Sequence, residues 1–365
     1  MTRSGIGALL GSIFITLAGA PAWGGAARIE EVALKVDIRG WTYTLETAIV
    51  RPPEGNGPWP LLLVTHGSPR LPADRQKIRT ARMLSQARDM AHRGWVSVVI
   101  VRRGFGVSDQ PFAEGYNCAA PNYRRALTTA AEDVAAVHAV VARWPDVDAT
   151  RILAMGVSVG GATMLAWATT QPPGLMGVIN VSGGTGSHSP RANCDENGLV
   201  STFGSFGAET RVPSLWFYSE NDSYLPPDLV RRMHAAYTKA GGPGQLNMFG
   251  PVSDDGHEIW TLSEGRRLWM PLVDRFLRER SLPTWDPAPV DRLAQGLNSD
   301  ARRVLAAYLA WPSEKAMAVS RVKKLARFWG YQSETEATLK GSVSACEKDA
   351  GEPCDVVIEN FTPRH

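Results

Sequence analysis

The chain has 365 residues, enough to bury a large core and more than one typical domain needs, so a large domain with a smaller appendage is the expected organisation. Hydrophobic residues make up 44% and charged residues 21%, the balance of an ordinary globular protein. The 39 basic and 36 acidic residues leave a formal charge of +3 with no long basic run, which argues against nucleic-acid binding as the primary role.

Residues 1–22 combine an early Arg3, an apolar stretch over about 6–17 and small residues beyond it, the layout of a secretory signal peptide. The stretch is too short to span a bilayer. Cleavage is expected between about residues 20 and 27, giving an exported bacterial protein, periplasmic or secreted, with no stable membrane anchor; an uncleaved anchor is the competing reading. In an oxidising compartment the four cysteines, Cys118, Cys194, Cys346 and Cys354, read as disulfides, and their spacing matches no zinc site.

Residues 27–50 alternate apolar and polar side chains, as antiparallel strands at a sheet edge do. A Pro- and Gly-rich turn follows, then a short apolar strand at 61–65 that runs into His66-Gly67-Ser68-Pro69. A helix is expected over 74–92, a strand over 95–101 with apolar residues on both faces, and a helix from about 122 to 144. Further strands are expected at 152–155, 177–181, 214–218 and 245–249, with helices after the first of these to about residue 170, at 226–239 and at 264–280. Strands alternating with helices predict an α/β fold, a mostly parallel sheet with helices on both faces, whose functional residues sit at the C-terminal ends of strands.

Two connections at that rim are long, 110–121 and 182–210, and the Ser, Gly and Asn content of the second predicts irregular structure forming a wall or lid. Each carries one cysteine. Of the three possible pairings, Cys118 with Cys194 and Cys346 with Cys354 are therefore expected.

The segment Gly156-Val157-Ser158-Val159-Gly160-Gly161 lies between an apolar strand and an alanine-rich helix. A serine at such an apex needs small neighbours two positions to either side, and the helix starting at Val159 aims free N–H groups at whatever bonds to it. A nucleophilic serine needs a base, and the base needs a group that fixes its tautomer. Asp222 follows the strand at 214–218, and His257 follows the strand at 245–249; Glu220 is the rival acid. The remaining histidines fall in helices, at the terminus, or in loops better suited to other work. His66 suits an oxyanion loop, and His188 in the long loop is a candidate substrate contact. Oxyanion donors are expected from the backbone N–H groups of Val159 and Ser68. Rim aromatics, Phe112, Tyr116, Phe203, Phe206 and Tyr224, suggest an apolar or aromatic acyl partner, or equally the packing of a lid.

From about residue 30 to 280 the chain resembles an α/β-hydrolase, nearest the dienelactone hydrolase-like and prolyl-oligopeptidase-like branches, on three motifs: G-x-S-x-G-G at 156–161, His66-Gly67, and R-G-x-G-x-S from Arg103 to Ser108. The resemblance implies a hydrolase with Ser158, Asp222 and His257 as its catalytic residues, no metal or organic cofactor, and a small acyl or ester substrate touched by Arg103, Tyr116, His188 and Tyr224. Dienelactone hydrolases proper carry cysteine where Ser158 stands, so serine esterase chemistry is the expectation. A peptidase is the alternative within the enzymes, and a binding protein on an inactive hydrolase scaffold the alternative outside them. The acid-bearing turn of the family usually opens with glycine, where this chain has Ser219.

Residues 283–290 read as a linker after a catalytic domain over 28–282. Residues 291–365 form a small α+β unit: a helical stretch to about 310, a strand at 315–320, Trp329-Gly330, a helix opened by the capping box Ser333-x-x-Glu336, and the Cys346…Cys354 pair before a strand at 356–359. It resembles a small bacterial exported module with that W-G, S-x-x-E-A and C…C-x-V pattern, and a disulfide-stapled appendage is the expectation for it.

Overall fold

The computed structural model describes residues 25–330 and 335–364. The expected signal peptide and Ser333 of the capping box lie outside the described residues. The chain opens with the hairpin β1 (Arg28–Ile38) and β2 (Trp41–Arg51), followed by β3 (Trp59–Thr65), α1 (Leu84–Ala91), β4 (Val96–Ile100), α2 (Tyr123–Val141), β5 (Val147–Val157), α3 (Val159–Ala168) and β6 (Leu175–Val181). A short ribbon, β7 (Ser187–Ser189) with β8 (Ala192–Asn193), precedes α4 (Glu196–Glu209), β9 (Ser214–Ser219), α5 (Pro227–Lys239), β10 (Gly244–Phe249) and α6 (Ser263–Glu279).

Eight strands form one sheet in the order β1-β2-β4-β3-β5-β6-β9-β10, in which β2 runs antiparallel to both neighbours and every later pairing is parallel. The run Trp59–Thr65 is buried at every position, as a strand covered on both faces must be. Leu61 and Leu63 point into the core beneath α2, α3, α4 and α5, whereas Leu62 and Val64 point into the core beneath α1 and α6. This two-faced packing leaves the C-terminal strand ends open, and Ser158, Asp222 and His257 all emerge there.

Two stretches differ from the sequence expectation. The helix expected over 74–92 is broken into two 3-10 turns, Pro72–Lys77 and Thr80–Met83, and α1. Glu46 on β2 accepts from Arg79 Nε at 2.9 Å and from Thr80 N at 3.0 Å, and Arg79 is extended (φ −137°), so a carboxylate from a distant strand interrupts the helix. The loop expected over 182–210 contains α4, fourteen residues long and capped by Asp195, whose side chain accepts from Gly198 N. Leu199, Phe203 and Phe206 recur along its buried face, a helical spacing that the Gly and Ser content masks. Phe203 and Phe206 therefore lie in the core near Trp216, and neither is a rim residue.

The C-terminal part comprises α7 (Pro287–Gln295), α8 (Ser299–Ala310), β11 (Lys315–Ser320), β12 (Ala326–Gly330), α9 (Thr335–Ala350), β13 (Cys354–Glu359) and β14 (Thr362–Pro363), with an antiparallel sheet in the order β12-β11-β13-β14. It has a core of its own around Leu305, Tyr308, Met317 and Ile358, and Cys346–Cys354 ties α9 to β13. The stretch before α7 is packed and does not dangle as a free linker: Trp285 stacks on Phe361 and donates to Asp274 Oδ2 at 2.9 Å. Buried polar bonds attach this part to α1 and α6. Arg93 grips Asp274 through two bonds of 2.6 and 2.9 Å and Asp89 pairs with Arg266, which hold α1 to α6, while Asp89 also accepts from Ser313 N and Oγ of the C-terminal part. Glu314 accepts from Ala27 N and is hydrogen-bonded to His92.

Candidate active site

Ser158 sits between β5 and α3 with φ 55° and ψ −127°, a conformation that L-residues adopt at a cost of about 1–3 kcal/mol and that exposes the side chain at the apex of the turn. The backbone closes so tightly that a Cβ on Gly156 would come within 2.4 Å of the Gly160 carbonyl, and one on Gly160 within 2.5 Å of His66 O. Those contacts explain why both flanking positions are glycine. Gly67 faces Ser158 directly, since a Cβ there would lie 2.8 Å from that of the serine.

Asp222, 1% exposed, presents both carboxylate oxygens to His257 Nδ1 at 3.0 Å. Its Oδ1 also accepts from Tyr224 N at 2.7 Å and Leu225 N at 3.0 Å, which pins the carboxylate to its own turn. The rival Glu220 is exposed and its carboxylate pairs with Arg231 at 3.8 Å. His257 and Ser158 line one cavity of about 200 Å3 with Ile78, Met83 and Trp260.

Two residues that the sequence reading passed over hold this arrangement. Asp255 accepts from His257 N and Ser223 N, and its Oδ2 accepts from Ser223 Oγ. Burial alone would raise its carboxyl, but these donors and the positive side of His257 hold it below the usual carboxylate range. Asn221 accepts from Val252 N and donates to Ser253 O, so the acid turn and the histidine loop are stitched together. The Asp-Asp-Gly-His run and the Asn before Asp222 were the only available signals.

On the other side of Ser158, His66 is buried, with Nδ1 2.7 Å from Gly67 O and Nε2 accepting from Arg102 N at 3.0 Å. A backbone N–H can only donate, so Nε2 is the acceptor and Nδ1 carries the proton to Gly67 O. Burial first, and the adjacent Arg102 second, hold His66 well below its usual value, so the ring stays neutral. In a trans peptide C=O and N–H point in opposite directions. Fixing Gly67 O toward His66 thus turns Ser68 N–H away from it, and that N–H has no acceptor among the described residues. Val159, the first residue of α3, likewise has an N–H that the helix itself does not use.

The neutral His66 has a consequence for stability. An unfolded chain binds a proton at this position below about pH 6.5, whereas the folded chain does not, so stability is fully present above that pH and falls as pH drops below it, by at most about 1.4 kcal/mol per pH unit. Urea midpoints measured between pH 7.5 and 5.5 are expected to fall more steeply for the wild type than for His66→Gln; parallel slopes would contradict the assigned tautomer.

The two long connections are joined by Cys118–Cys194, and Cys346–Cys354 is the second disulfide. Tyr116 OH accepts from Gly186 N and Thr185 Oγ1, and Tyr123 OH accepts from Asp195 N, so two phenols brace the same loops from inside. Tyr116, His188 and Tyr224 line a cavity of about 260 Å3 that also reaches Ser158 and Val159. Tyr224 stacks on His257 with ring centroids 4.0 Å apart. Arg103 does not reach this cavity. Asp133 on α2 accepts from both its backbone N and its Nε at 2.6 Å, so the arginine expected to touch substrate braces β4 against α2 and is 6% exposed.

The sheet order, with the apex serine after the fifth strand of the sheet, Asp222 after the seventh and His257 after the last, is the architecture of the α/β-hydrolase fold. A family model described as X-Pro dipeptidyl-peptidase (S15 family) matches residues 42–221. Structures of similar fold include the acylaminoacyl peptidase of Pyrococcus horikoshii, at 17% identity and a TM-score of 0.51, with 72% of this chain and 43% of that one covered. Dipeptidyl peptidase 4 of Porphyromonas gingivalis matches at 16% identity and a TM-score of 0.51, with 69% and 36% covered. An esterase of Pyrococcus furiosus matches at 11% identity and a TM-score of 0.49, with 69% and 93% covered. The chain thus spans less than half the length of the two peptidases, and likeness at these identities speaks to fold. No curated protein matches in sequence.

Proposed function

We propose that the protein is an exported serine hydrolase that cleaves a carboxylic ester of a small molecule through an acyl-enzyme. The observation that carries this reading is the Asp222–His257 pair opening into the same cavity as Ser158. Ser158 Oγ attacks the carbonyl carbon and gives its proton to His257 Nε2, while Asp222 keeps Nδ1 protonated and stabilises the charged ring. The oxyanion is held by the N–H groups of Ser68 and Val159. The alcohol departs with the proton from His257, and water, deprotonated by the same ring, releases the acid. Export rests on residues 1–22 and on the two disulfides.

The S15 match favours a second reading, cleavage of peptide amides. Removing a dipeptide requires a site for the substrate's free ammonium. The buried acid nearest to hand, Glu114, is already held by Arg102 through bonds of 2.7 and 3.0 Å, and the other charges around the cavity are arginines, so ester hydrolysis is preferred. Labelling by a fluorophosphonate probe at Ser158, with turnover of p-nitrophenyl butyrate and none of Gly-Pro-p-nitroanilide, is the expected result. Amide turnover in place of ester turnover would select the second reading, and an unlabelled serine would end both.

A further inference from the structure

Ser158 stands between two cavities of different character. The first, with His257, is walled by Ile78, Met83, Val157 and Trp260; its charged residues, Arg82 and Glu258, are both exposed. The second, with Val159, contains Arg70 and Arg75. Neither arginine makes an ion pair of hydrogen-bond length with a carboxylate among the described residues, although Glu114 acts on Arg75 through space. Arg70 donates to the neutral Ser187 Oγ at 2.9–3.1 Å and to Ser223 O at 3.0 Å, with its guanidinium carbon 3.4 Å from the Tyr224 ring centroid. Arg75 lies 3.5 Å over Phe112, and its Nε is buried without any acceptor. Glu114 faces the same space, but its charge is spent on Arg102. The cavity therefore carries a net positive charge on two half-buried guanidinium groups, against the single carboxylate of Glu114, and an entering anion would meet both.

These arginines are also held in place. Phe112 backs Arg75 and is itself locked against Gly104, where a Cβ would come within 2.4 Å of the Phe112 backbone; the same loop is cross-linked by Cys118–Cys194. A guanidinium stacked on a ring presents its planar edge as a fork suited to carboxylate oxygens.

Resting on the reading of Ser158 as an esterolytic nucleophile, we propose that the acyl part of the substrate bears a carboxylate, seated between Arg70 and Arg75. The side follows from the chemistry. The alcohol must take its proton from His257, so it occupies the apolar cavity that His257 lines, and the acyl group extends into the arginine cavity beyond Val159. The preferred ester is a half-ester of a short dicarboxylic acid with an apolar alcohol.

The test compares p-nitrophenyl hydrogen glutarate with p-nitrophenyl methyl glutarate, which share a leaving group and chain length and differ in the terminal charge. The wild type is expected to favour the acid by at least tenfold in kcat/KM, as charge-assisted hydrogen bonds imply. Arg70→Gln and Arg75→Gln are each expected to lower that ratio severalfold, and Arg75→Lys to restore part of it. Because the ratio is the readout, a general loss of activity cancels, and Arg303→Gln, far from the site on α8, controls for net charge. A wild-type ratio near one, a ratio unmoved in the double Gln variant, or a preference for charge on the alcohol instead would overturn the proposal. Calorimetric binding of glutarate against dimethyl glutarate reads the same site without turnover. Selective glutarate binding by a protein that hydrolyses no ester would keep the anion site and remove the esterase reading; ester turnover with no selectivity in either assay would do the reverse.

Discussion

Ser158→Ala is expected to lower kcat on any accepted ester by roughly a million-fold, the scale at which a nucleophile's removal leaves only binding and the oxyanion donors at work. The fold should survive. Alanine keeps the Cβ that already fits beside Gly67 and at φ 55°, and the hydroxyl removed lies at the mouth of two cavities, so the change in stability should stay within about 1 kcal/mol. Ester turnover followed beside a thermal melt checks both halves. A folded variant retaining more than about a thousandth of wild-type kcat would remove Ser158 from the mechanism.

Asp222→Asn should cost about 10^4 in kcat, through a tautomer. Tyr224 N–H and Leu225 N–H both donate to Oδ1, so an asparagine there must keep its carbonyl oxygen at that position. Its amide nitrogen then occupies the Oδ2 position, whose other neighbour is His257 Nδ1. A donor then competes at Nδ1 with the carbonyl oxygen, which lies at the same 3.0 Å, and shifts the ring proton toward Nε2, which in that tautomer has no lone pair with which to accept the proton of Ser158. The variant should fold, bind and react slowly with a fluorophosphonate. A loss smaller than tenfold would show that another group orients His257.

Much of this was legible in the residues themselves. Strands covered on both faces betray themselves as unbroken apolar runs, so β3, β4, β6 and β9 could be located closely, and with them the rim where Ser158, Asp222 and His257 emerge. Local pattern also favours Asp222 over Glu220, because Glu220 is nearer the strand end and lacks the turn and Pro226 that follow Asp222. Features decided at a distance were not legible. Nothing local to Arg79 says that Glu46, 33 positions earlier, will break its helix, and nothing beside Arg103 announces Asp133. In α4 a glycine- and serine-rich composition hid a regular apolar spacing. Arg70 and Arg75 stayed invisible for a related reason: a sequence shows a charge but does not show whether the fold supplies its partner.

The polar seam between the C-terminal part and the helices α1 and α6 bears on how the chain comes to be folded. Asp89 and His92 are completed by Ser313 and Glu314, more than 220 positions later, and Ala27 at the start of the sheet depends on that same Glu314. Synthesis delivers residue 89 long before residue 313. Until then, α1, which follows the Arg75 turn, has an acid and a base turned toward an empty surface, and α6, which follows the His257 turn, carries Asp274 without Trp285. Ser313 and Glu314 thus finish α1 and tie the start of the large sheet to the C-terminal part, so that contacts far apart in the sequence close over the helices that flank the reactive rim.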